Sequence, residues 1–198
     1  MSQSDALILV DVQNDFCPGG ALAVENGDEV VPVLNRYIER FVELRLPIFA
    51  TRDWHPVKTT HFKAYGGVWP VHCVQGTHGA EFHPDLKVTP EITVVSAGMA
   101  ADEDGYSGFL GRDSAGRSLA ALLRDRAVDR LFVGGLATDY CVKHTVLDGI
   151  QEGFQVMLIG DAVRGVNLNP GDSEQAIQEM TAAGAVIVRG DDAFEFVG

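Results

Sequence analysis

The sequence predicts an α/β fold, a doubly wound and mostly parallel six-stranded sheet flanked by helices. Three observations predict it. Six short apolar runs rich in Val, Ile and Leu show little polar alternation, which is how strands buried on both faces read. Stretches with helical spacing separate most of the runs. Strand, helix and strand repeated in this way build a parallel sheet through crossover connections.

The elements follow in order. The strand runs are "ALILVDV" (6–12), "LPIFATRD" (46–53), "ITVVSAG" (92–98), "RLFVGGLA" (130–137), "FQVMLIGDAV" (154–163) and "AVIVRG" (185–190). Helical patterns fall at 28–45, 114–128, 140–152 and 172–184. Asp172 or Ser173 is the expected cap of the last, with Glu and Gln in its first turn. Residues 53–91 break the rhythm, and five of the six histidines lie there: His55, His61, His72, His78 and His83. So long a loop in a compact domain is usually functional or poorly ordered. With no linker, repeat or low-complexity segment, one domain over 1–198 is the expectation.

Composition narrows the partners. Hydrophobic residues are 46% and charged residues 22%, the balance of a globular chain. A net charge of −13 disfavours nucleic acid and anionic membrane, both of which repel an acidic surface. No apolar run approaches the roughly 18 residues of a membrane span. The opening "MSQSDALILVDVQNDF" lacks the basic region of a signal peptide, so a cytoplasmic location is expected. Three cysteines without CxxC spacing make a disulfide framework unlikely. Cys17 and Cys73 read as structural. A homo-oligomer is compatible with the sequence.

Ligands of open parallel sheets bind beyond the carboxyl ends of the strands. Asp11 follows the first run, Asp53 and His55 the second, Ser96-Ala97-Gly98 the third, and Thr138 to Cys141 the fourth. Cys141 falls at the first turn of a helix, where free N–H groups and the dipole favour a thiolate. Gly134 and Gly135 permit a close turn before it. Cys141 is then either a small buried residue or a nucleophile, and Asp11 a satisfied carboxylate or its general base. Asp15 is a candidate brace of the following loop. Asp53 and His55, two apart in an extended segment, project the same way and suit a shared cation. His72 is a third candidate ligand and His61 a fourth or supporting one.

Taken together, "LILVDVQNDFCPGGALAV", "ATRDWHP", "WPVHCVQGTHGAEFHP", "DGYSGF" and "GLATDYCVKHTVLDG" resemble the nicotinamidase/pyrazinamidase branch of the isochorismatase-like cysteine hydrolases. The resemblance runs nearly end to end. It implies a strand order 3-2-1-4-5-6 and hydrolysis of nicotinamide, a small-molecule substrate, through a cysteine thioester. It implies Cys141 as nucleophile, Asp11 as base, and Asp53, His55 and His72 as metal ligands, with His61 a ligand in some members. It also implies Phe16, Trp69 and Tyr140 as walls for the substrate ring. The amides of Ala137 and Cys141 would form the oxyanion hole, with a cis peptide at Leu136–Ala137. Two imidazoles and a carboxylate suit one divalent Zn, Fe or Mn ion.

One departure falls at the chemistry. The family carries a catalytic lysine where this chain reads Ala97, in "VVSAGMAADEDGYSGF". Alanine brings neither charge nor proton, so a strongly reduced turnover is expected. A Lys→Ala replacement is the favoured origin, and a natural relative of altered function the alternative. Lys143 is a poor substitute, because it lies on the helix beyond the cysteine, while Lys58 and Lys63 lie in the 53–91 loop, where the sequence does not place them.

Overall fold

A computed structural model describes residues 4–190 together with Phe194 and Val197. Six strands form one sheet: β1 (Asp5–Val10), β2 (Ile48–Asp53), β3 (Thr93–Ala97), β4 (Arg130–Leu136), β5 (Gln155–Arg164) and β6 (Val186–Val188). Their order is β3-β2-β1-β4-β5-β6, and every pairing is parallel. The expected doubly wound sheet is present, with all strand ends of one sense along one rim.

Helices cover both faces. α1 (Val30–Glu43) buries Val30, Val31, Leu34, Tyr37, Ile38 and Phe41, an i, i+3, i+4 stripe. The stripe packs on Leu7, Leu9, Ile48 and Ala50 of one sheet face. On the other face, Leu119, Leu122 and Leu123 of α2 (Leu119–Asp125) and Val146 of α3 (Lys143–Gln151) meet Ala6, Ile8, Phe49 and Val95. Met180 of α4 (Asp172–Ala183) joins them. Each such side chain contributes roughly 1.5–3 kcal/mol by leaving water.

Several local expectations are corrected. α2 is shorter than 114–128 because Asp113 Oδ1 accepts from the amides of Ala115 and Arg117, closing a turn there. Ser118 then caps the helix through Ala121 N–H. Neither Asp172 nor Ser173 caps α4. Gly171 occupies that position with φ 93°, and Asp172 begins the helix while accepting from Asn169 N–H. Gly134 and Gly135 belong to β4 rather than to a turn after it. At Gly135, φ is 131°, and a Cβ would lie 2.1 Å from Val10 O, so β1 approaches more closely than a side chain allows. Among the described residues, no helix is long and apolar enough to cross a membrane.

Candidate active site

The ends of β1, β2 and β4 converge. Asp11, one residue past β1, adopts φ 47°, a left-handed conformation that costs a non-glycine residue of order 1 kcal/mol or more. Two contacts to β2 hold it there: Asp11 N–H donates to Thr51 O at 3.3 Å, and Thr51 Oγ1 donates to Asp11 Oδ1 at 2.6 Å. Gln13, fully buried, straps the next strand end. Its Nε2 donates to Asp53 O and Ala80 O, and its Oε1 accepts from Asp53 N–H. Asp15 braces the loop, accepting from the amides of Ala21 and Cys73.

Cys141 lies in a wide turn with π-helical bonding, Thr138–Val142, ahead of α3 rather than in its first turn. The Leu136–Ala137 peptide before the turn is cis. Acidic oxygens of Asp11 and Asp53 and the sulfur of Cys141 lie within 4.8 Å of one another, all buried. Burial and the neighbouring Asp53 charge push the Asp11 carboxyl well up. Burial, then Asp11 and Asp53, push the Cys141 thiol well up. The thiolate expected from the helix terminus does not prevail, because dehydration and two carboxylates oppose it.

Beside this corner stand the imidazoles. His55, His61 and His72 place ring nitrogens within 4.8 Å of one another, all buried. His55 Nε2 is 3.5 Å and His72 Nε2 3.7 Å from Asp53 Oδ2. These separations are long for hydrogen bonds. They are close to the roughly 3.4 Å between two donors that share one tetrahedral ion. The other nitrogens are held: His55 Nδ1 by Gly98 O at 3.1 Å, His72 Nδ1 by Pro70 O at 2.8 Å, and His61 Nδ1 by Asp104 Oδ1 at 3.3 Å. Such outer partners set which nitrogen faces a metal. Asp53 Oδ1 and His55 Nε2 are buried without a hydrogen-bond partner. Orphaned donors of this chemistry fit a divalent metal ion. Burial opposes the charge on Asp53, but the neighbouring His55 and His72 imidazoles outweigh it and hold the carboxyl low.

The pocket between the corners is lined by Phe16, Trp69, Ala137 and Tyr140 together with Asp53, His61, His72 and Cys141. Its water-accessible space is about 20 Å³, room for roughly one water. Aromatic rings close it: Trp69 and Tyr140 meet edge-on at 4.8 Å, and Trp69 Nε1 donates to Tyr106 OH at 2.7 Å. Tyr106, Leu22 and Val166 also line it and were not among the sequence candidates. Tyr106 and Leu22 lie in stretches that carry the resemblance, "DGYSGF" and "LILVDVQNDFCPGGALAV".

Ala97 ends β3 and pairs in register with Asp53, so its Cβ lies on the Asp53 face. The candidate replacement lysines lie elsewhere. Lys143 pairs with Glu179 at 3.2 Å, and Lys58 and Lys63 are exposed. Of the remaining histidines, His78 is exposed against Glu81, His83 accepts from Asp85 N–H, and His144 stacks on Tyr106. Cys73 is buried behind His55, whose N–H donates to Cys73 O.

Known proteins share this arrangement of sequence and fold. The isochorismatase domain family matches residues 5–192. A nicotinamidase of Escherichia coli is 44% identical over 200 residues, covering 92% of this chain and 93% of that protein. A nicotinamidase/pyrazinamidase of Mycobacterium tuberculosis is 39% identical over 186 residues, covering 92% and 97%. A crystal structure of the pyrazinamidase of Pyrococcus horikoshii in complex with zinc superposes with a TM-score of 0.87 at 44% identity, covering 94% and 99%. The chain belongs to the isochorismatase family, beside relatives named nicotinamidase and pyrazinamidase.

Proposed function

We propose that this chain is an amidohydrolase of nicotinamidase type, converting nicotinamide and pyrazinamide-like amides to the acid and ammonia. The observation that carries the reading is the Cys141 sulfur gathered with the buried carboxylates of Asp11 and Asp53, beside the buried imidazoles of His55, His61 and His72 and against a ring-walled pocket.

Asp11 takes the thiol proton as sulfur bonds to the amide carbon and the carbonyl electrons move to oxygen. The amides of Ala137 and Cys141 are assigned to that oxyanion. As the carbonyl re-forms, the C–N bond breaks, and Asp11 returns its proton to nitrogen. Ammonia leaves a thioester on Cys141. Water, deprotonated by Asp11, attacks the thioester, and the acid departs as the thiol regains its proton. A divalent ion on Asp53, His55 and His72, with His61 as a further donor, would supply a Lewis-acidic anchor for the pyridine nitrogen. Zinc is the identity best supported, given the zinc complex of the similar pyrazinamidase. Phe16, Trp69 and Tyr140 flank the ring, and they must part to admit it.

Ala97 leaves the acidic corner without the family's lysine. No cation then offsets the Asp11 and Asp53 charges beside Cys141, so turnover in this chain is impaired. The same alanine favours a second reading, a protein that binds metal and nicotinamide without turnover. Ammonia release from nicotinamide, measured on this chain and on Ala97→Lys, separates them. The amidase reading expects slow release that the lysine raises. Calorimetric binding of nicotinamide with no release from either protein would establish the second reading. A hydrolase of a different small amide would release ammonia from other carboxamides only.

A further inference from the structure

The back face of the β2 end carries a second feature. Asp53 points to the pocket, while Arg52 and Trp54, its neighbours in sequence, share the opposite face. With Ser96, Arg112, Asp113 and Arg117 they line a cavity of about 470 Å³ along the edge strand β3. The chain carries 28 acidic against 15 basic side chains, yet three arginines and one aspartate meet here.

Two of the three guanidinium groups lack a carboxylate among the described residues. Arg117 is neutralised by Asp113, with Nε and Nη2 donating at 3.0 and 2.8 Å. Arg52 lies flat on Trp54, its guanidinium carbon 3.6 Å from a ring centroid, and its Nε donates to Ser96 Oγ at 2.9 Å. Arg112 donates from Nη1 to Gly116 O at 3.2 Å. Neither forms an ion pair among the described residues. A half-buried, stacked guanidinium is fixed in place, so its outer N–H fork is presented at little entropic cost.

We propose that this cavity binds the phosphate group of a small molecule, held by the forks of Arg52 and Arg112. A phosphate monoester carries about −1.5 to −2 charge near pH 7, matching two unpaired guanidinium groups. Ile92 and Met99 flank the polar end and suit the body of such a ligand. The net charge of −13 repels a nucleic acid or an anionic bilayer, so a small molecule is the occupant. The ligand would rest on the strand end that carries Asp53.

The two tryptophans make the test site-specific, because Trp54 reports this cavity and Trp69 the candidate active site. Pyrophosphate and phenyl phosphate are titrated while the two indole N–H signals are followed by NMR, assigned with Trp54→Phe. The expected result is a saturable shift of the Trp54 signal that sodium chloride at equal ionic strength does not reproduce. Arg112→Gln, at an exposed position, should weaken binding at least tenfold. Arg52→Lys should weaken it too, since the charge is kept but the fork is lost. A response at Trp69 alone, an equal response to chloride, or unchanged binding by Arg112→Gln would overturn the proposal.

Discussion

The imidazole corner and the thiol corner of the pocket share Asp53 but are held in opposite ways. Around His55, His61 and His72, each ring has its own acceptor, Gly98 O, Asp104 or Pro70 O. Each is placed locally, and the donors then converge. Asp11 and Cys141 instead depend on charge balance across three strands. Thr51 supplies one hydrogen bond, while Asp53 opposes the ionised form of both groups. A site assembled by local braces tolerates loss of a distant residue. A site assembled by opposing charges does not, and the proposed function places that cost at position 97.

The largest effect should come from the thiol corner itself. Cys141→Ala, introduced beside Ala97→Lys, should lower ammonia release to background, about 10⁴-fold or more, while leaving metal content unchanged. Loss of metal along with activity would show that the corners are not separable.

Next comes Ala97→Lys alone. Turnover should rise roughly 10²–10⁴-fold. The added cation should lower the pKa of Asp11, whose ionised form is the one proposed to act as base. The acid limb of kcat/KM should therefore move to lower pH, by about 1–3 units. A rise in rate with an unmoved pH profile would mean that the lysine acts otherwise than through charge.

Asp53→Asn tests the shared residue. Zinc affinity, followed by calorimetry, should fall at least about 100-fold, beyond the roughly 10–100-fold typical of outer partners. The same change removes a negative neighbour from Asp11 and Cys141, so the pKa of Cys141, read by thiol titration, should drop. The smallest effect is expected of Thr51→Val, which keeps the shape and removes the hydrogen bond to Asp11. A loss of about 1 kcal/mol there corresponds to roughly fivefold in kcat, with metal binding unaffected.

The fold was legible because buried parallel strands announce themselves by uninterrupted Val, Ile and Leu, and six such runs are hard to place otherwise. That Asp53 and His55 lie side by side was legible from their spacing, i and i+2 on an extended segment. Tyr106, Leu22 and Val166 were not legible as pocket walls, since a ring or an aliphatic side chain carries no mark of the cavity it faces. The start of α4 misled for a related reason: Asp172 and Ser173 are good caps by type, but Gly171 in a left-handed turn took the position.

By itself, the sequence determined the strand and helix alternation, the rim on which Asp11, Asp53 and Cys141 gather, and the alanine at position 97. These depend on local periodicity and on residue chemistry, which are written in order along the chain. Only the tertiary structure decided that the Cys141 thiol is pushed up rather than down, and that two arginines without carboxylates among the described residues share the back of the Asp53 strand. Ionisation and pairing depend on what lies within a few ångströms in space, and residues 11, 53 and 141 become neighbours only when three strands lie side by side.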